Sequence, residues 1–468
     1  MLRRFRLLAM TGWMGQRLCC LVFLLSIAGC APTLPSPDTA VPVTAYLPGP
    51  ESGVTPGALP VDWWQSFGSP ALDVLVATGM QASPTIGEAV QNLAAAEQES
   101  AAVNGAFLPQ IGVNPNASRQ AYPAGPNESP PYTIYSITGS ISYDPGLFGA
   151  RRYTFENGAA LADYQQAELD AAKQTLVGNI VAAAITEAGA EAQIATTARI
   201  VSAEQRLLTL LNGEYADGAI PQLNVLQQRS QILAIEATLP PLQTQADEQR
   251  DRLAILTGRL PADFSGSGVS LDGLAIPSAV PVELPTAYLA SRPDIRAARA
   301  EVAAQNAALG VAVAHLYPDL SLSANGGYAS ETLNTLFEPG AAFWAIAANL
   351  LQPLYDGGVL HARKQAAQAQ LAAALFAYHG AVLNAFGEAA DALQAVQNDK
   401  MTLARAQDAA QTAIAAFRLG QAQFGLGAVD YTTVLNAQQQ AAQQALNLVQ
   451  ARTNLLLDIA RLESAMAQ

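Results

Sequence analysis

The chain has 468 residues, half of them hydrophobic, with 38 acids against 24 Lys and Arg and a formal net charge of −14. An acidic chain with only 13 % charged residues excludes nucleic acid as a partner, because phosphate binding needs clustered cations. Three cysteines, two of them adjacent at Cys19 and Cys20, exclude a disulfide framework or a cysteine metal cluster in the mature protein.

Residues 1–29 read as a signal peptide. Arg3, Arg4, Arg6 and Arg17 make a positive start, and Leu18 to Ile27 is an apolar core too short for a permanent span. The segment ends in Ile27-Ala28-Gly29-Cys30, which resembles the lipobox of bacterial lipoprotein signals. That resemblance implies acylation of the Cys30 thiol and cleavage before it, and Ala31 in place of Asp favours the outer membrane. An ordinary signal peptide or an uncleaved anchor is the alternative. Removal takes four arginines and no acid, so the net charge becomes −18. Residues 30–60 carry eight prolines and read as an extended, lipidated tether.

Residues 61–258 read as a first repeat. It opens at Asp62-Trp63-Trp64, and a helix starts at Ser83-Pro84. A candidate strand spans about Phe107 to Gln120. A clearer one runs from Tyr132 to Tyr143, where Tyr135, Ile137, Gly139, Ile141 and Tyr143 alternate with Ser136, Thr138, Ser140 and Ser142. That is period two, apolar against hydroxylic. Ala121 to Pro131 between them is rich in turn residues. Ala150 to Asn212 is then free of proline and predicts a long helix. A turn at Tyr215-Ala216-Asp217-Gly218 leads into a return helix from Pro221 to Gly258, interrupted at Pro240-Pro241.

Residues 259–284, rich in Gly, Pro and Ser, read as a linker outside the helical wall. Residues 285–468 repeat the first unit. Pro84 and Pro293 differ by 209 positions, and so do Pro109 and Pro318, Gly218 and Gly427, and Leu226 and Leu435. Four agreements under one offset are an internal duplication. The second copy has candidate strands at Tyr317 to Tyr328 and Ala342 to Leu351, and a proline-free stretch from Gly357 to Gly420. There Leu371, Leu375, Tyr378, Val382, Phe386, Ala389, Leu393 and Val396 form one apolar stripe of helical period. About 60 residues make a helix of about 90 Å, which needs equally long partners. A turn at Phe424 to Asp430 precedes the return helix, Ala428 to Ala467.

The candidate strands are uncharged from Thr133 to Tyr143 and from Ala341 to Gln352, and their length suits a tilted membrane strand. Four strands cannot close a barrel around a channel, and open edges are not allowed in lipid. Several chains must contribute to one barrel.

With the lipobox, the motifs Ser291-Arg292-Pro293-Asp294-Ile295, Tyr317-Pro318, Gln352-Pro353-Leu354-Tyr355-Asp356-Gly357-Gly358 and Leu253 to Gly258 carry a resemblance to the TolC-like outer-membrane efflux factors, in their lipoprotein branch. The fold class implied is mainly α with membrane β: a duplicated strand-strand-long-helix-helix unit. Three chains build a twelve-stranded barrel continued by a periplasmic helical tunnel. The resemblance implies a passive exit duct for small molecules, with a periplasmic adaptor and an inner-membrane pump of the RND type as partners. It implies no cofactor. The tunnel would narrow at the tip turns Gly218 and Gly427, through Tyr215, Asn224, Phe424, Asp430, Thr433 and Asn436. The family's aspartate-ring positions fall here on Thr433 and Asn436, and the matching acidic position of the first copy on Asn224, so an acidic constriction is in question. Asp430 is the acid near the second tip. The same residues would also serve as plain hairpin surface and packing.

His315, His361 and His379 lack metal-ligand spacing, and no nucleophile elbow, phosphate loop or dinucleotide fingerprint occurs, which speaks against an enzyme. Two other readings remain at this level: an exit duct for type I protein secretion, and a coiled-coil lipoprotein scaffold that forms no channel.

Overall fold

A computed structural model of the chain describes residues 33–35, 37, 54–56, 62–121, 131–277, 280–282 and 292–466. Cys30, the signal segment, most of the tether, the first loop tip, Ser291 and Ala467 lie outside these. In chain order the elements are β1 (Val54–Pro56), α1 (Pro70–Ala82), α2 (Pro84–Ala106), β2 (Gln110–Gln120) and β3 (Tyr132–Tyr143). Then come α3 (Ala150–Ala216), α4 (Gln222–Glu236), α5 (Leu239–Leu256), β4 (Val280–Val282), α6 (Pro293–Ala314), β5 (Asp319–Ser330), β6 (Ala342–Leu351), α7 (Val359–Gly425) and α8 (Tyr431–Met466).

The duplication is visible in the backbone. α3 and α7 both have 67 residues, about 100 Å each, and they start and end 209 positions apart. Each follows its strand through a turn closed by an aspartate and a left-handed glycine. Gly146 N–H donates to Asp144 Oδ1 at 2.8 Å, and Gly149 has φ 90°. In the second copy Gly358 has φ 85°, and Asp356 accepts from Gly358 N–H at 2.9 Å and Leu360 N–H at 2.7 Å. These bonds, the one from Leu360 foremost, hold the Asp356 carboxyl below its ordinary range.

Two strands begin later than the alternation suggests. β2 starts at Gln110 because Phe107 to Pro109 finish the preceding helix: the Gln110 side-chain amide donates to the carbonyls of Gly105 (2.8 Å) and Leu108 (2.9 Å), satisfying orphan helix carbonyls. β5 starts at Asp319, since Leu316 and Tyr317 are still held by turn bonds to Val313 and Ala314. The return arm of the first copy also differs from expectation. The break falls at Ala237 and Thr238, two residues before the prolines, and Pro240 and Pro241 sit in the first turn of α5. A first-turn N–H has no intrahelical acceptor, so proline there costs nothing.

The described residues divide into two units. One takes in Asn92–Gln166 and Ala297–His379, and the other Val41–Gln91, Ala167–Arg296 and Gly380–Gln468. The first holds a four-stranded sheet in the order β2-β3-β5-β6, antiparallel throughout. The β3–β5 pair joins the two copies. Gly327 pairs with Thr138 there, and a Cβ on it would sit 2.0 Å from the Ile137 carbonyl oxygen.

The second unit holds the main apolar core. Trp63, Phe67, Leu72, Ile180, Ile185, Leu253, Leu274, Leu455, Leu456, Ile459 and Leu462 are all under 2 % exposed. The linker packs onto it through buried Phe264, Val269, Leu271 and Leu274. Ser267 N–H donates to the buried Glu187 carboxylate at 3.2 Å, and Arg250 faces that carboxylate at 3.3 Å. β1 and β4 form a parallel pair that ties the tether to the linker. At the start of α6, the buried Arg292 guanidinium makes two bonds to Asp294 (2.9 and 2.7 Å) and one to Glu388 of α7 at 2.8 Å. The Arg-Pro-Asp motif is thus a clamp: proline starts the helix, and the paired charges fix that start on α7.

Candidate functional site: the sheet faces and the helical turns

Register decides what each face of the sheet carries, because residues directly opposite in paired strands share a face. One row across the four strands reads Trp344, Gly326, Gly139, Val113. The next reads Ile346, Ala324, Ile141, Ile111. Tyr328 with Ile137, and Leu322 with Tyr143, continue the same face. The opposite face reads Ala345, Asn325, Ser140, Gly112, then Ala347, Ser323, Ser142, Gln110. One face is therefore continuously apolar and the other mostly hydroxyl and amide. The charged residues of the sheet are Arg119, one residue from the end of β2, and Asp319, the first residue of β5. Strands of 10 to 12 residues are long enough to cross a bilayer when tilted.

Among the described residues no strand pairs with the outer edge of β2 or of β6. Both edge strands leave large apolar groups bare: Ile111 and Val113 are 76 and 69 % exposed, Trp344 and Ile346 78 and 77 %. Water does not tolerate such a surface cheaply, and lipid does not tolerate the open edges.

In the helical unit, the two long helices end in the same motif. Gly218 N–H donates to the Tyr215 carbonyl and Ala219 N–H to that of Glu214. Gly427 N–H donates to the Phe424 carbonyl and Ala428 N–H to that of Gln423. This is the Schellman pattern, which needs a left-handed residue. Gly218 and Gly427 supply it with φ 72° and 69°.

The residues singled out around these turns are placed as follows. Tyr215 is exposed on the last turn of α3, and Asn224 is half-buried in the first turn of α4. Phe424 is half-buried and meets the Tyr431 ring edge-on at 5.9 Å. Asp430 caps α8, accepting from Thr433 N–H at 2.9 Å and from its hydroxyl at 2.6 Å. The hydroxyl bond first, then the backbone bond, holds the Asp430 carboxyl below its ordinary range. Asp430, Thr433 and Asn436 are all exposed. Their spacing of three puts them in one stripe along α8, with one acid, one hydroxyl and one amide.

Sequence reasoning missed a buried network beside this stripe. Glu204 of α3 is 1 % exposed and accepts from the Gln228 amide of α4 at 2.5 Å. The Tyr431 hydroxyl of α8 donates to Gln228 Oε1 at 2.6 Å, and Gln438 of α8 also bonds the Glu204 carboxyl. Burial pushes the Glu204 carboxyl up, with the two amides pulling against it. Leu211, Tyr431 and Leu435 pack beside it, flanked by Leu207, Ile220, Val225 and Phe424. Three segments meet here. No local signal marked it, since Glu204 stands among Arg199, Ser202, Gln205 and Arg206 and reads as part of a polar helix surface.

The family model described as Outer membrane efflux protein matches residues 77–259 and 284–468, and the chain belongs to that family. It is 29 % identical over 461 residues to the pyoverdine export outer membrane protein OpmQ of Pseudomonas putida, covering 94 % of this chain and 96 % of that one. It is 28 % identical to the toluene efflux pump outer membrane protein TtgF of Pseudomonas putida, covering 87 and 85 %. A nodulation protein T of Rhizobium leguminosarum is 26 % identical, covering 86 and 83 %. Among solved structures, the outer-membrane channel OprN superposes with a TM-score of 0.88 at 25 % identity, covering 93 % of this chain and 98 % of that one. VceC of Vibrio cholerae shares the fold at a TM-score of 0.80, 24 % identity, and 87 and 98 % coverage. By family and fold this is an outer-membrane efflux channel of the TolC-like kind.

Proposed function

We propose that three copies of the chain close one twelve-stranded barrel, with the apolar sheet face toward lipid and the hydroxyl and amide face toward the lumen. The observation that carries this reading is the two-faced sheet with two unpaired edges. One sheet of four strands has no legal place in a bilayer, whereas edge-to-edge joining of several satisfies every backbone group. The long helices then line a periplasmic tunnel. A periplasmic adaptor and an inner-membrane pump, of the RND type, supply cargo and energy, and the duct itself is passive. OpmQ and TtgF are named for very different cargoes, which supports a duct that leaves selection to the pump.

The tip turns are the constriction, with the Asp430, Thr433 and Asn436 stripe of three copies around the axis. One acid per chain gives a weaker cation preference than a full aspartate ring. Residues 61–258 and 285–468 are the two repeats joined by 259–284. Cys30 carries the lipid. In support, Leu34 N–H donates to the Tyr153 hydroxyl at 3.1 Å, in the first turn of α3 where the chain leaves the sheet.

The test is planar-bilayer conductance of the detergent-extracted protein with its mass measured in the same preparation. A trimer that conducts, or that conducts once the Gly427 turn is loosened by Phe424→Ala, supports the duct. A monomer silent in both forms overturns it.

A further inference from the structure

The helical unit carries a groove bounded by three helices of a single chain. α3 and α7 form its walls and α8 its floor, and its volume is about 690 Å³, within the range of small-molecule sites. Every lining residue belongs to the second unit. Ile200 and Leu207 line one wall, and Ile414 and Phe417 the other. Ala441 and Ala445 lie on the floor, where their short side chains leave the space open. Ile200, Leu207 and Phe417 are half-buried and Ile414 is 39 % exposed, so the lining is apolar yet open to water.

The charge around this groove runs against that of the chain. α3 carries Arg199, Glu204 and Arg206 between Ala192 and Gly213, and α7 carries Arg418 alone between Ala409 and Gly425. α8 has no charged residue from Tyr431 to Ala451. A chain of net charge −14 thus places three cations and one acid here. The acid is committed. Glu204 is 1 % exposed, and its carboxyl accepts from Gln228 of α4 and from Gln438. The two arginines that line the groove are not. Arg199 donates to the Thr196 hydroxyl and Arg206 to that of Ser202, both at 3.0 Å, and neither has a carboxylate partner among the described residues. A guanidinium with five donors keeps a free fork after one such bond. The two stand seven positions apart, about 10.5 Å along α3 and on one side of it. Each precedes an apolar wall residue, Ile200 or Leu207.

We infer that this groove binds small amphipathic carboxylates. The acid group sits on the Arg199 and Arg206 guanidinium groups, and the apolar body lies between Leu207 and Phe417 over the alanine floor. A neutral molecule of the same shape would leave the arginines unused, and a cation would be repelled by them. The inference does not depend on how many copies assemble, because walls and floor come from one chain.

The test is calorimetric titration of naphthylacetate into the full protein in lipid nanodiscs. Naphthylethanol and naphthylethylamine are the matched neutral and cationic probes, and empty nanodiscs give the baseline. Saturable binding of the acid, one per chain, is expected. The alcohol is expected to bind about tenfold more weakly, the size of one charge-assisted hydrogen bond, and the amine not at all. Arg199→Gln with Arg206→Gln is expected to bring the acid down to the affinity of the alcohol. Both side chains are exposed, so folding is spared, and unchanged thermal unfolding checks that. Phe417→Ala is expected to weaken acid and alcohol alike. Equal affinity for acid and alcohol, or an acid affinity untouched by the arginine pair, overturns the inference. So does the absence of saturable binding, the result if a neighbouring copy fills the groove.

Discussion

The two repeats agree in backbone and diverge in side chains. Both long helices have 67 residues, both enter through a left-handed glycine at Gly149 or Gly358, and both end on one at Gly218 or Gly427. The return arms do not match. α4 and α5 are separated by a pause, whereas α8 runs unbroken for 36 residues and buries Leu455, Leu456, Ile459 and Leu462. Even the caps after the turns differ: Pro221 precedes α4 without a side-chain cap, and Asp430 caps α8 through Thr433. Duplication preserved the positions where backbone conformation restricts the residue and released those where only packing did.

That contrast makes the second return arm the more sensitive. Leu456→Ala is expected to cost about 2–5 kcal/mol, the range for emptying a closed core site, against under about 1 kcal/mol for Leu233→Ala on the exposed face of α4 in the isolated chain. Denaturant titration of both variants checks the order.

Glu463 adds a pH dependence to the same arm. It is 1 % exposed, accepts from the Ser66 hydroxyl at 2.8 Å, and burial pushes its carboxyl up to about 7 from 4.5. A raised carboxyl binds more protons folded than unfolded, so this group lowers stability as pH rises from 4.5 to 7 and has no effect below 4.5. The full effect is about 3 kcal/mol. Glu463→Gln, which keeps an acceptor for Ser66, is expected to flatten that part of the stability curve. An unchanged slope would place the titration elsewhere.

Arg292→Ala is expected to cost about 1–3 kcal/mol, discounted because Asp294 and Glu388 are 46 and 61 % exposed in their side chains and water screens them. Its counterpart Ser83, at the start of α2, has no such clamp. Smallest and most telling, Gly218→Ala and Gly427→Ala are expected to cost about 1 kcal/mol each, and equally, since nothing lies within 4 Å of a Cβ at either. Unequal costs would mean the two turns are not the same motif.

What could be read from the residues was what local rules dictate. Pro84 and Pro293 do start α2 and α6, the period-two run does span β3 from Tyr132 to Tyr143, and Gly218 and Gly427 do close helices. Boundaries set by a side chain acting at short range were missed, as where the Gln110 amide holds the end of α2 and delays β2. So was everything that depends on distant segments meeting. Gln228 is 24 positions from Glu204 and 203 from Tyr431, and no periodicity within one helix brings those three together. The sheet faces lay between these cases. Alternation in β3 separated apolar from hydroxylic residues, but only the register shows that β2 and β5 continue the same division, while β6 puts Phe343, Ala345, Ala347 and Leu351 beside the hydroxylic rows.

That division is the central claim, and neighbouring residues of β3 test it. Ser140→Cys and Ile141→Cys place a thiol on opposite faces of one strand. In bilayers, a charged, water-soluble methanethiosulfonate reagent is expected to reduce single-channel conductance of Ser140→Cys and leave Ile141→Cys unchanged. Block of Ile141→Cys with Ser140→Cys silent would turn the sheet inside out and contradict the account.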